Sequence, residues 1–94
     1  MSIAQMKKQF VQWGREIAAR RLSWGASGNM SVRLDRGQFL ITASGSHFSR
    51  MTTRDIATCR ISSGSSGSCG VRPSCEHQMH RLLLRRRPEV NVVL

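Results

Sequence analysis

Tyrosine is absent from these 94 residues, proline occurs twice, and only five side chains are acidic. With two Trp and three Phe as its only aromatics, the chain has no aromatic-studded strand on which nucleobases would stack. No apolar run approaches the roughly 18 residues of a membrane-spanning helix, so no membrane partner is expected. The opening MSIAQMKKQFVQW lacks the continuous apolar core of a secretory signal, which predicts a cytoplasmic chain. Cys59, Cys69 and Cys75 make an odd count with no C-x-x-C pair, the pattern of reduced thiols. Neither a G-x-S-x-G elbow, nor a Walker loop, nor G-x-G-x-x-G is present, so the usual hydrolase and nucleotide signatures are missing.

What is abundant is positive charge. Fifteen Lys and Arg against five Asp and Glu give +10, a balance that suits nucleic acid, acidic lipid or phosphorylated substrates. The arginines are spread along the chain, with one run at Arg85, Arg86 and Arg87. Spread of this kind reads as solvated faces, and the case for nucleic acid rests on charge alone. The length suits one small domain or part of a larger one. A hydrophobic fraction of 39% is enough for a core.

Ile3, Met6, Phe10, Trp13 and Ile17 recur every three or four residues, one stripe of an amphipathic helix. Ser2 is its N-cap candidate, and the helix should fade near Arg21. Residues 23–29 carry loop chemistry. Met30, Val32 and Leu34 then alternate as a strand, Asp35-Arg36-Gly37 turns, and Gln38 to Thr42 returns. After a small-residue loop at 43–46, Thr52 or Thr53 caps a helical turn, and Ile56 to Ile61 is a third strand. Residues 62–70, SSGSSGSCG, have the composition of a flexible loop. A second helix follows with Ser74 as N-cap candidate, Met79, Leu82 and Leu83 as its expected buried face, and Pro88 as its stop. Val90 to Leu94 reads as a strand apolar enough for a sheet interior. The order is that of an α/β chain with an unfinished sheet.

Three small-residue loops contain candidate anion-binding groups: Gly28-Asn29, Ser44-Gly45 and Ser74-Cys75. Backbone N–H groups in such loops form anion nests, and the third opens a helix, whose N-terminus adds unpaired donors. Taken singly each is merely a turn, and spacing does not bring them together. Glu76 beside the third loop suits acid/base chemistry, although on pattern alone an exposed first-turn carboxylate on a solvated helix end is the favoured reading. Glu76 and His80, or His77 and His80, share a helix face and form possible metal pairs. The C-x5-C-x-H-x2-H run from Cys69 has the wrong spacing for a zinc finger.

The runs WGASGNMSVRL, FLITASGSHFSRMTTRDI and RPSCEHQMHRLLLRRRPEVNVVL, in that order, resemble the N-terminal portion of the class II aldolase/adducin family, L-fuculose-phosphate aldolases among them. The resemblance spans nearly the whole chain from Trp13, with residues 57–71 its weakest stretch. It implies a three-layer α/β/α class II aldolase-like domain over residues 1–94, truncated so that the central sheet is incomplete. It also implies zinc as cofactor, a phosphorylated ketose as substrate and a homo-oligomer, commonly a tetramer. By the family's pattern Gly28, Asn29, Ser44, Gly45, Ser74 and Cys75 bind the substrate phosphate, and Glu76 is the catalytic acid/base. Cys75 stands where the family usually has a second Ser, which weakens one donor and leaves its backbone N–H intact. The family's zinc-binding H-x-H would follow the Val-Val strand, beyond Leu94, so none of His47, His77 or His80 matches a ligand. The expectation is a truncated metal-dependent lyase whose intact form cleaves a phosphorylated ketose and which is itself inactive. The alternatives are a non-catalytic, adducin-like interaction module and a basic nucleic-acid-binding chain.

Overall fold

The structure is a computed structural model, and it describes residues 2–22, 28–62 and 71–94. Helix α1 (Ile3–Ala19) opens on a capping box, in which Ser2 Oγ accepts from Gln5 N and Gln5 Oε1 accepts from Ser2 N. It closes with Leu22 N bonded to Ile17 O and with Arg21 at φ 58°, a left-handed terminus that satisfies the last carbonyls. Of the predicted stripe, Phe10 is buried and Met6 and Ile17 pack against the core, while Ile3 and Trp13 are only partly covered, at 46% and 37% exposure. Gly14 lets the helix settle onto the 3-10 turn at Phe48–Arg50. A Cβ there would lie 3.1 Å from Met51 Sδ and 3.3 Å from Phe48 Cδ1. Arg15 fastens the same contact by donating to Met51 O from Nε and Nη2.

Four antiparallel strands form the sheet in the order β3-β2-β1-β4: β1 (Ser31–Arg33), β2 (Gln38–Thr42), β3 (Ile56–Arg60) and β4 (Val92–Val93). The β1–β2 turn is set by Asp35, whose Oδ1 accepts from Gly37 N and Gln38 N. Strand alternation then sorts the side chains into two layers. Met30, Val32, Leu40 and Ile56 face α1, while Phe39, Ile41, Ala57 and Cys59 face the opposite side with Leu84 of helix α2 (His77–Arg86). The result is helix, sheet, helix, the three-layer arrangement expected. β4 is shorter than the predicted 90–94 and lies at the sheet's edge, with Val92 about half exposed.

Helix α2 departs most from the sequence pattern. Met79, Leu82 and Leu83, expected to be buried, are exposed at 51%, 45% and 41%, whereas His80, Arg81 and Leu84 are within 1% of full burial. Polar anchors set this rotation. Arg81 Nε donates to Arg60 O at 2.7 Å, and its guanidinium stacks over Phe39. His80 bonds the buried Ser31 of β1. The helix also starts later than Ser74 suggests. Ser74 Oγ accepts from Glu76 N within a turn, and Glu76 occupies the cap position. Most of the Ser/Gly-rich stretch 62–70 lies outside the described residues.

Candidate functional site

The cleft is built from the ends of the sheet. Thr42, the last residue of β2, is bonded to Met30 in both directions: Thr42 N donates to Met30 O, and Met30 N donates to Thr42 Oγ1. That fixes the Gly28-Asn29 segment beside the loop leaving β2. On the other side, Ser74 N donates to Thr42 O and Ser44 N to Arg72 O, with Ala43 bridging Pro73. Segments distant in sequence are thus laced to one strand end. Around a cleft of about 250 Å³ stand Gly28, Asn29, Ser44, Gly45, Ser74, Cys75 and Glu76, with Thr42, Ala43 and Ser46 completing the wall. All three small-residue loops therefore converge, which their spacing did not reveal.

Two glycines make the lining possible. Gly28 and Gly45 have φ of 82° and 77°, a left-handed conformation that side chains other than glycine's adopt at a cost. The N–H groups of Gly45 and Cys75 have no partner among the described residues, and both residues line the cleft. Ser46 Oγ, by contrast, is spent on Ala43 O at 2.7 Å. Among the described residues the cleft thus presents unpaired backbone donors, hydroxyls and one carboxylate.

That carboxylate is held from one side. Asn29 Nδ2 donates to Glu76 Oε2 at 2.9 Å, and Asn29 Oδ1 meets His80 Nε2 in a short hydrogen bond. His80 Nδ1 lies 2.6 Å from Ser31 Oγ. Burial pushes the His80 imidazole below its ordinary range, partly opposed by the negative charge of Glu76. His80 and Ser31 belong to this constellation; the sequence pattern joined His80 to Glu76 only as a possible metal pair and gave Ser31 no part. A signal existed: Ser31 alternates with the core residues Met30 and Val32, and so points to the α2 side, while His80 is one helical turn from Glu76.

No group of three or more His, Cys, Asp or Glu suited to a metal occurs among the described residues. Glu76 is the one carboxylate in the cleft, both His80 nitrogens are engaged, and His77 Nδ1 donates to Ser74 O. Cys59 is buried away from the cleft with its thiol pushed up by burial, and Cys69 lies outside the described residues. The described residues do not assemble a zinc site. A larger cleft of about 690 Å³ lies elsewhere, beside Arg33, Arg36 and Arg85. Two of those arginines are committed to carbonyls: Arg33 to Val90, Leu84 and Arg87, and Arg85 to Ile61. Among the described residues no helix is long and apolar enough to cross a membrane.

Residues 8–94 match the model of the Class II Aldolase and Adducin N-terminal domain. The chain is 34% identical over 94 residues to a methylthioribulose-1-phosphate dehydratase of Pseudomonas syringae pv. tomato, covering all of this chain and 46% of that protein. It is 30% identical to a 3-oxo-tetronate 4-phosphate decarboxylase of Haemophilus influenzae, over 100% of this chain and 44% of that one. Among solved structures, an L-fuculose-1-phosphate aldolase from Thermus thermophilus superposes with a TM-score of 0.76 at 30% identity, covering 95% of this chain and 44% of that one. The chain therefore spans less than half the length of these relatives. The match over residues 8–94 shows that it belongs to the class II aldolase and adducin family, of which it is a partial N-terminal portion.

Proposed function

We propose that the cleft binds the phosphate of a phosphorylated ketose or related sugar phosphate, and that Glu76 moves the proton in a lyase reaction of the aldolase type. The observation that carries this reading is the meeting of three loops around one small cavity, with the Gly45 and Cys75 N–H groups on its wall without a partner among the described residues. A phosphate takes such donors readily, and the N-terminus of α2 adds its dipole. Named relatives with dehydratase, decarboxylase and aldolase activities all carry a phosphate in their substrates' names, which favours a shared anchor with variable chemistry beyond it.

In this reading the phosphate anchor supplies binding energy remote from the reacting carbons and orients them. Glu76 is at the cleft's edge, within reach of a carbon–hydrogen or hydroxyl group next to the anchored phosphate. Its other oxygen is held by Asn29, so Oε1 is the atom left to take or return the proton. Zinc, the family's usual metal, needs ligands that the described residues do not supply. These residues by themselves are thus expected to bind substrate and not to turn it over.

Calorimetry with L-fuculose 1-phosphate tests both halves. Wild type and Glu76→Gln should both bind, the variant more tightly because a negative charge beside the phosphate is gone. Turnover of that compound by the 94-residue chain with added zinc, lost in Glu76→Gln, would show that the chain is itself a working lyase. Absence of binding in both proteins would favour the non-catalytic, adducin-like module.

A further inference from the structure

We propose that His80 is a positioning residue that fixes which edge of the Asn29 amide faces the cleft, so that only the N–H end of Asn29 is offered to Glu76 and to a bound anion.

The hydrogen-bond chain has one self-consistent direction. An ionised Glu76 carboxylate accepts only, so the Asn29 atom 2.9 Å from Oε2 is the amide nitrogen. That turns Asn29 Oδ1 toward His80 Nε2, which must then carry the proton and donate. His80 Nδ1 is left bare and accepts from the Ser31 hydroxyl at 2.6 Å. Turning the amide over would set its oxygen against the Glu76 carboxylate, and would set its N–H2 against Nε2–H unless the imidazole proton moved to Nδ1 and the Ser31 hydroxyl reversed as well. Ser31 and His80 are both fully buried, so no water is available there to repair the mismatch. Burial also disfavours a charged imidazole, which suits the single-proton tautomer this direction requires.

His80 therefore reaches the cleft only through Asn29. An asparagine free to turn would present its carbonyl oxygen to an anion as readily as its amide. Held by His80, it presents donors only. This part of the inference rests on the phosphate reading of the cleft, whereas the direction of the chain does not.

Nitrogen-15 NMR of the His80 ring in the native chain tests the direction. The expected result is a neutral imidazole protonated at Nε2; protonation at Nδ1 alone would overturn the proposal. Three proteins are then titrated with inorganic phosphate. His80→Leu removes the donor and should weaken binding about two- to tenfold, the worth of one oriented hydrogen bond. His80→Gln retains an N–H at the Nε2 position and should stay within about twofold of wild type. The Asn29 side-chain amide resonances should shift in His80→Leu and return in His80→Gln, a signature that a purely packing role would not give. A His80→Leu protein that keeps those resonances, or binds phosphate like wild type, contradicts the proposal. If His80→Leu does not fold, the native tautomer and the Asn29 resonances of His80→Gln still decide. If wild type binds no phosphate, the phosphate reading fails by itself, and the tautomer and amide resonances again decide the role of His80.

Discussion

The rotation of α2 about its axis determines which residues meet the cleft, and truncating its leucines one at a time measures it. Leu84 is 1% exposed and packs among Phe39, Ile41, Ala57, Cys59 and Ile61, whereas Leu82 and Leu83 are 45% and 41% exposed. Leu84→Ala removes buried methyl groups and leaves a cavity, a change that costs about 2–5 kcal/mol. Leu82→Ala and Leu83→Ala remove side chains that water already reaches, and should cost about 1 kcal/mol or less. A domain of this size has only about 5 kcal/mol or somewhat more in hand. Leu84→Ala takes up much of that margin, so Leu84→Val, one methylene smaller, provides a milder step of about 1 kcal/mol. Urea unfolding followed by circular dichroism supplies the free energies, provided the slope m is common to the series. If Leu82→Ala or Leu83→Ala costs as much as Leu84→Ala, the helix is rotated from the orientation described, and His80 does not face Ser31.

Gly45→Ala isolates backbone conformation from space: a Cβ there meets nothing within 4 Å, yet φ is 77°. The variant should lose about 1–2 kcal/mol in urea unfolding, and its phosphate affinity should fall because the loop relaxes away from the cleft. Cys75→Ser replaces a weak thiol donor on the cleft wall by a hydroxyl and should tighten phosphate binding by about 1 kcal/mol, read by calorimetry. Stability should also depend on pH through His80, whose folded-state pKa lies below its ordinary 6.5 because it is buried. The unfolded chain then binds the proton first as pH falls, so the contribution of His80 is complete above about pH 6.5 and declines from there toward the folded value. The difference between wild type and His80→Gln in unfolding free energy, measured from pH 8 to 5, should show that decline in wild type only.

Much of the fold was legible because local chemistry and tertiary structure agree. Ser2 caps α1 as its sequence suggests, Asp35 makes its turn, and strict alternation in Gln38–Thr42 sorts Leu40 from Phe39 and Ile41. The α2 register was not legible, because apolarity pointed to Met79, Leu82 and Leu83 while polar anchors decided the outcome. A buried Arg81 with a carbonyl partner and an aromatic face, and a buried His80 with a serine partner, contradict the pattern that hydropathy reads. The cleft residues were each legible as loop chemistry. Their convergence was not, since it depends on long-range backbone bonds such as Ser74 N to Thr42 O and Ser44 N to Arg72 O. Asn29 and Glu76 are 47 residues apart, and nothing in their spacing announces a hydrogen bond.

The most direct test of the central claim is a titration of the nitrogen-15-labelled chain with inorganic phosphate, followed amide by amide. The account predicts saturable shifts at Gly28, Gly45, Cys75 and Glu76 that share one dissociation constant. Saturable shifts centred instead on Arg33, Arg36 and Arg85, around the larger and more basic cleft, would contradict it.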